Sequence, residues 1–369
     1  MFPQKRVLFL VPYPVRRAPS QRFRVENFLP YLDQASVSYK IAPFLDTDTF
    51  DILYRNGHAF RKVWGVVKGF LLRLKTVLLE APAYDYVFIH REASPLGPPI
   101  FEWILAKVLR KKIIYDFDDA IWIEDSENKI LNWVKAAWKI KWVCKWAHTV
   151  AAGNTYLAAF ASRYNTNVVT LPTCVDMERQ HNQVKQQNEG AVTIGWTGSH
   201  STMRYLAMLV PVLQNLSERF GTEVVIISNR PPSFQFPGLH FLPWREATEI
   251  EDLLKVDIGI MPLEQDKWSE GKCGFKLIQY LALGIPAVAS PVGINRSIVE
   301  HSVNGFLCNN TEQWQQALEL LISDAALRKE MGQRGREKML ASYSVQSNTG
   351  CFLKLFSLDE RSRPKETSL

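Results

Sequence analysis

Cysteine is scarce and scattered. Five in 369 residues, Cys144, Cys174, Cys273, Cys308 and Cys351, fall at no paired spacing. The sequence therefore indicates neither a zinc site nor a disulfide framework, and a reducing cytosol is its expected home. Long apolar runs are missing too. No stretch approaches the roughly 18 uncharged apolar residues of a membrane-spanning helix. The apolar start Val7–Val11 stops at Pro12 instead of continuing as a signal peptide would; it reads as a first buried strand. A G-x-G-x-x-G fingerprint is also absent. The turn Gly195-Trp196-Thr197-Gly198-Ser199-His200 follows an apolar strand as a nicotinamide site would, but its glycines are wrongly spaced, which argues against a dehydrogenase.

Acidic residues are thin in the first half. Residues 1–170 hold 24 Lys and Arg against 15 Asp and Glu, a net +9, and the remainder 20 against 22, a net −2, together the formal +7. A partner of the first half should be anionic: a membrane surface, a phosphorylated acceptor or nucleic acid. With 47% hydrophobic and 22% charged residues the chain is globular, and its length suits two domains of Rossmann size.

The stretch Ile258–Ser290 organises the second half. Short uncharged runs, Ile258–Met261 and Ala287–Ala289, are bounded by Pro and Gly, as parallel strands covered on both faces are. Between them the pattern predicts a helix from near Lys272 that carries Lys272, Lys276 and Gln279 on one face. Gly271 and Gly274 leave room for close approach to its backbone. Two lysines at a helix N-terminus make a site for an anion, most plausibly a diphosphate.

The run Glu270-Gly271-Lys272, Lys276, Gln279–Pro286 and Ala287–Ser290, continued by Pro291-Val292-Gly293, Val303–Leu307 and Tyr343-Ser344, resembles the donor-site signature of family 4 retaining glycosyltransferases (glycosyl transferases group 1). The resemblance implies an α/β chain of GT-B fold, with two Rossmann-like domains facing a central cleft and a C-terminal helix crossing back to the first domain. In that family two glutamates eight residues apart hold the donor, one on the sugar and one on the ribose. Here Gln279 stands at the second position, eight residues back is Gly271, and Glu270 lies one residue early. The resemblance assigns Gly198, Ser199, His200, Lys272, Gly274, Phe275 and Gln279 to donor binding. Trp244-Arg245 stands where the family frames the base.

In the first half the loop after the first strand carries Arg16, Arg17, Arg22 and Arg24, where a Rossmann-like domain opens toward its ligand. The next strands end in His90-Arg91-Glu92 and Asp116-Phe117-Asp118-Asp119. Carboxylates this dense repel unless something shares their charge, so at least one is expected to have a raised pKa or a cationic partner such as Arg91. The resemblance places the catalytic-side polar residue here, so Asp118 and Asp119 join Glu270 and Lys276 as catalytic candidates. Arg22, Arg24, His90 and Arg91 are the acceptor-side candidates. Asp116-x-Asp118 also matches the metal-holding motif of the other large glycosyltransferase fold. It is discounted, because a helix end and lysines neutralise the diphosphate in the resembling family, and neither metal nor cofactor is expected beyond the nucleotide-diphosphate sugar.

Two amphipathic segments complete the reading. In Phe60–Leu79, Val63, Val66, Val67, Phe70, Leu71, Leu74 and Val77 share one arc, which is expected to pack on the sheet, with Arg61, Lys68 and Lys75 opposite; a basic amphipathic helix lying on an anionic bilayer is the alternative. Lys129–Ala147 is read as one helix with small apolar residues on the inner arc. Trp138, Trp142 and Trp146 alternate with Lys135, Lys139 and Lys145 on the outer one, a composition that suits a lipid interface. The expected division is an acceptor domain over 1–176, a linker over 177–190, a donor domain over 191–343, and a crossover helix and frayed tail over 344–369. The expected protein is a cytoplasmic glycosyltransferase, peripheral on the inner face of the membrane if the tryptophans meet lipid. It would pass a sugar to a glycan or lipid-linked acceptor in cell-surface polysaccharide synthesis, with no nucleic-acid partner. A GT-B-like nucleotide-sugar epimerase and a degenerate, non-catalytic membrane partner are the alternatives.

Overall fold

The computed structural model describes residues 5–53, 55, 57–123, 129–187 and 189–358. The expected fraying of the tail falls outside the described residues. The chain divides into two compact units, residues 1–173 with 348–369, and residues 174–347.

The first unit is built on a six-stranded sheet of order β2-β1-β3-β4-β5-β6, all parallel. The strands are β1 (Arg6–Val11), β2 (Ser38–Pro43), β3 (Tyr86–His90), β4 (Lys112–Phe117), β5 (Thr149–Ala152) and β6 (Val168–Thr170). β1 and β3 are continuous apolar runs because helices cover both faces, so every residue of Val7–Val11 and Tyr86–His90 is buried. Helix Val345–Lys354 and the turn after it close one face of this sheet. Phe352 stacks on Phe28 at 4.4 Å, and Phe356 lies 6.2 Å from Phe9. Arg73 is buried and donates to the carbonyls of Val11 and Ala42, both at 2.9 Å, tying the ends of β1 and β2 together; burial pulls its pKa down to about 10.

Two helical expectations are corrected. Helix Ala59–Lys75 continues as a turn of π-helix over Thr76–Glu80, but the residues buried in the helix are Gly65, Gly69 and Arg73, while Val63, Val67, Leu71 and Leu74 face outward. The glycines decide this. A Cβ at Gly65 would lie 2.2 Å from Thr49 Oγ1, and one at Gly69 would lie 2.7 Å from the Phe44 carbonyl oxygen, so the helix backbone lies too close to Thr49 and Phe44 for an apolar side chain between them. The segment 129–147 is not one helix. Ala136 adopts φ 52° and splits it into Lys129–Lys135, a 3-10 turn Ala137–Lys139, and Ile140–Trp146. The break turns Lys139 inward, where its ammonium meets Glu92 and donates to the Ser94 carbonyl at 2.9 Å. Lys139 is therefore a core cation and not part of an outward lysine row.

The second unit repeats the plan with order β12-β11-β10-β7-β8-β9, again parallel. Its strands are β7 (Thr193–Gly198), β8 (Glu223–Ser228), β9 (Leu239–Pro243), β10 (Ile258–Met261), β11 (Ala287–Ala289) and β12 (Gly305–Leu307). Residues 177–190, expected as the linker, lie in this unit, where Lys185 pairs with Asp257 at 2.9 Å and donates to the Leu254 carbonyl.

Candidate active site

In the second unit the candidate site forms where β7, β10 and helix Phe275–Ala282 meet. Tyr280 locks the helix in place, because its hydroxyl accepts from Thr197 N at 2.9 Å and its ring fills the space left by Gly259. Burial pushes the Tyr280 phenol far up, so it stays neutral. The helix starts at Phe275, three residues later than expected, because Gly274 takes a left-handed φ of 64° immediately before it. Lys272 therefore lies ahead of the helix, with its ammonium 5.0 Å from the Trp268 ring centroid.

Lys276 is on the first turn. Its ammonium sits 5.3 Å from the centroid of the buried Trp196, and a Cβ at Gly198 would lie 2.7 Å from its Cε. Gly198 is thus small to let the lysine cross the end of β7. Ser199 and His200 follow on the exposed turn, where Ser199 Oγ lies 2.9 Å from Ser201 Oγ and His200 N donates to Asn229 at 2.8 Å. Glu270 ends the short helix Lys267–Glu270, whose cap Asp266 accepts from Ser269 N at 2.7 Å. The Glu270 backbone lies against Gly293, where a Cβ would stand 2.6 Å from its carbonyl oxygen. Gln279 does not share an open face with Lys276. It is 3% exposed, and its amide donates to Glu249 Oε1 at 3.3 Å.

The first unit gathers a second cluster at the carboxyl ends of β3 and β4. His90 is fully buried, with Nδ1 2.7 Å from Asp116 Oδ2 and Nε2 3.0 Å from Ser20 Oγ. Arg24 is also fully buried; it pairs with Asp116 and donates to the Leu171 carbonyl. Its expected role at an acceptor is corrected, since a guanidinium spent on a buried carboxylate works inside the domain. Arg22 is buried as well, stacked 4.4 Å over Phe23. Arg91 takes a left-handed φ of 60°, held by its N donating to Asp116 O at 2.7 Å and by Tyr115 Oη donating to its carbonyl at 2.8 Å. This brings its side chain over Asp118, at 2.9 Å, and Asp119, at 2.6 Å. Burial pushes the Asp118 carboxyl up, but Arg91, with His90, Arg24 and the Ser20 hydroxyl, overcomes it and holds the group well below the usual carboxylate range. Burial likewise opposes the Arg91 charge and is outweighed by Asp118 and Asp119, which raise its pKa further. The Asp116-x-Asp118 pair is thus divided between different cations, Arg24 for one and Arg91 for the other.

Residues 237–338, which include Lys272, Lys276 and Gln279, match the family described as Glycosyl transferases group 1. The match covers this segment of the second unit and not the whole chain. The enzyme class is glycosyltransferase. Solved structures resemble nearly the whole chain. Sucrose-phosphate synthase from Thermosynechococcus elongatus is 11% identical with a TM-score of 0.70, covering 96% of this chain and 98% of its own. HepE from Anabaena, in complex with UDP and glucose, is 14% identical with a TM-score of 0.70, covering 96% and 100%. A glycosyltransferase from Rickettsia africae is 14% identical with a TM-score of 0.67, covering 96% and 98%. These likenesses establish the GT-B fold.

Two residues of the second unit were not singled out from the sequence. Glu249, on helix Glu249–Leu253, accepts from both Gln279 and Trp244 Nε1, the latter at 3.2 Å. Thirty residues separate it from Gln279, so only the fold reveals the pair. Arg204 lies one turn past the His200 loop. Its charge is favoured first by its hydrogen bond to Tyr205 and more weakly by Glu264 and Asp266 on the loop after β10. It supplies a cation on the element where none stood at the loop itself.

Proposed function

We propose that this glycosyltransferase moves a sugar from a nucleotide-diphosphate donor to a glycan or lipid-linked acceptor in cell-surface polysaccharide synthesis, with retention of anomeric configuration and without a metal. The observation that carries the reading is Lys276, laid across Trp196 and Gly198 on the first turn of Phe275–Ala282, inside the matched segment. A helix N-terminus with a lysine stabilises the negative charge that grows on the leaving diphosphate. Lys272 adds a second cation ahead of the helix, and Glu270 orients the sugar. Gln279 and Glu249 act together on the ribose, with the buried amide fixing the carboxylate. The Asp118 carboxyl, held so low, is a poor proton acceptor; its part is to steady positive charge as the sugar leaves. Arg91 holds it there, and His90 with Ser20 buttresses it from within.

UDP-glucose is the first donor to test, since the HepE structure holds UDP and glucose. Purified protein is incubated with UDP-sugars and extracts containing lipid-linked saccharides, with and without chelator. The expected result is release of UDP with a glycosylated product of retained anomeric configuration. Recovery of an isomerised sugar nucleotide with no transfer would contradict the reading and favour an epimerase.

A further inference from the structure

The Ala59–Lys75 helix turns its apolar side outward. Val63, Trp64, Val67, Leu71 and Leu74 are 41–62% exposed, and Phe60 at the start of the helix is 83% exposed. The crossovers from β2 to β3, β3 to β4 and β4 to β5 all step the same way along the sheet, so right-handed connections put their helices on one face. Contacts agree: Phe70 of this helix lies 6.1 Å from Phe101 of the next. Just beyond, Ile100, Trp103, Trp138, Trp142 and Trp146 wall an open cavity of about 310 Å³ that is almost wholly apolar. An exposed apolar row and an aromatic hollow thus lie side by side on the outer layer of one unit.

The exposed charge on this layer is predominantly positive. Residues 59–80, 100–112 and 132–146 hold five, four and four Lys or Arg, of which Arg73 and Lys139 are buried, against two acids, Glu80 and Glu102. Glu102 is buried, and Glu80 is paired with Lys40 at 2.7 Å. From outside the three segments, Asp46 offsets Lys68 at 2.8 Å with Asp48 nearby, and Glu92 pairs with the buried Lys139. Lys145 and Lys141 stand 5.4 and 5.8 Å from the Trp142 ring centroid. Indole beside ammonium, next to exposed aliphatics, matches a surface that offers phosphate at one depth and hydrocarbon just below it.

We infer that this face of the first unit docks on a bilayer containing anionic phospholipids, with the Val63–Leu74 row at the acyl boundary and a lipid chain entering the tryptophan hollow. The charge excess draws the protein to the surface, and the apolar side chains retain it. The docking does not depend on the transferase reading.

The test sediments the full chain with vesicles of equimolar phosphatidylcholine and phosphatidylglycerol, or of phosphatidylcholine alone. The expected result is binding to the anionic vesicles, weakened by salt, and about tenfold weaker binding to the neutral ones. Leu71→Ser and Trp142→Ser, both at exposed positions, should each reduce binding by about tenfold with the melting temperature unchanged. Lys141→Glu with Lys145→Glu should remove most of the salt dependence. Wild-type protein left in the supernatant with anionic vesicles, or variants that bind undiminished, would overturn the proposal. So would a concentration-dependent dimer lost in Leu71→Ser without any vesicle binding, which would assign the face to a second copy of the chain. The thermal shift given by UDP-glucose, measured on the same samples, reports on the transferase reading separately.

Discussion

Arg91 holds Asp118 with Nε 2.9 Å from Oδ1, and its NH2 group reaches the neighbouring Asp119 at 2.6 Å. The Asp118 carboxyl is ionised in the folded protein far below its unfolded value of about 3.9. A depressed folded pKa gives stability that is fully present above the unfolded pKa and is lost as pH falls through the folded one. The contribution of this pair should therefore hold from neutral pH to about pH 5 and fade in strong acid. Arg91→Met leaves two carboxylates without their cation, and burial then raises the Asp118 pKa. Urea denaturation should show a loss of about 2 kcal/mol at pH 7, discounted for the partial exposure of Arg91. The loss should shrink as pH drops to about 4, because protonation relieves the variant. An equal deficit at both pH values would contradict the assignment.

Replacing Gln279 by glutamate restores the residue that the donor-site signature carries, yet it should not restore a better enzyme. The new carboxylate would stand buried beside Glu249, where the amide nitrogen is now 3.3 Å from Oε1. Two buried carboxylates cannot share that space ionised, so one pKa rises. A raised folded pKa gives stability that is present below the unfolded value and lost as pH increases. Relative to the wild type, Gln279→Glu should be less stable at pH 8 than at pH 5, by about 2 kcal/mol. The double change with Glu249→Gln should recover most of that. Comparison of the melting curves of both variants at the two pH values checks this.

The strands were legible because burial on both faces writes itself as uncharged runs. Tyr86–Ile89, Ile258–Met261 and Ala287–Ala289 were readable for that reason. The edge strand Ser38–Pro43 was not, since its alternating, half-exposed residues match a loop as well as a strand. The segment around Lys276 was legible from local signature, and Arg91 from the density of acids it faces. What stayed hidden depends on distant neighbours. The outward valines of the Ala59–Lys75 helix follow from Thr49 and Phe44 crowding its glycines. The inward Lys139 follows from the turn at Ala136, which no glycine or proline announces. The burial of Gln279 follows from a glutamate on another helix.

The glycine seat gives its own prediction. On an exposed helix, Gly→Ala stabilises by about 1 kcal/mol through propensity. At Gly69 the added Cβ would stand 2.7 Å from the backbone oxygen of Phe44, which cannot move aside cheaply. Overpacking of about 1–3 kcal/mol should win. Gly69→Ala is therefore expected to lower stability in chemical denaturation, whereas Gly57→Ala, with open space around it but a strained φ of 77°, should lose less than about 2 kcal/mol.

The central claim is that Lys276 and the helix start behind it receive the donor diphosphate. Thermal denaturation of wild-type and Lys276→Ala protein, each with and without UDP-glucose, tests it most directly. Donor at about 100 times its dissociation constant should stabilise the wild type by about 2.7 kcal/mol. The variant should melt like the wild type alone, show almost no shift with donor, and lose about a hundredfold or more in turnover. An undiminished shift in Lys276→Ala, or no shift in the wild type with any nucleotide sugar, would contradict the account.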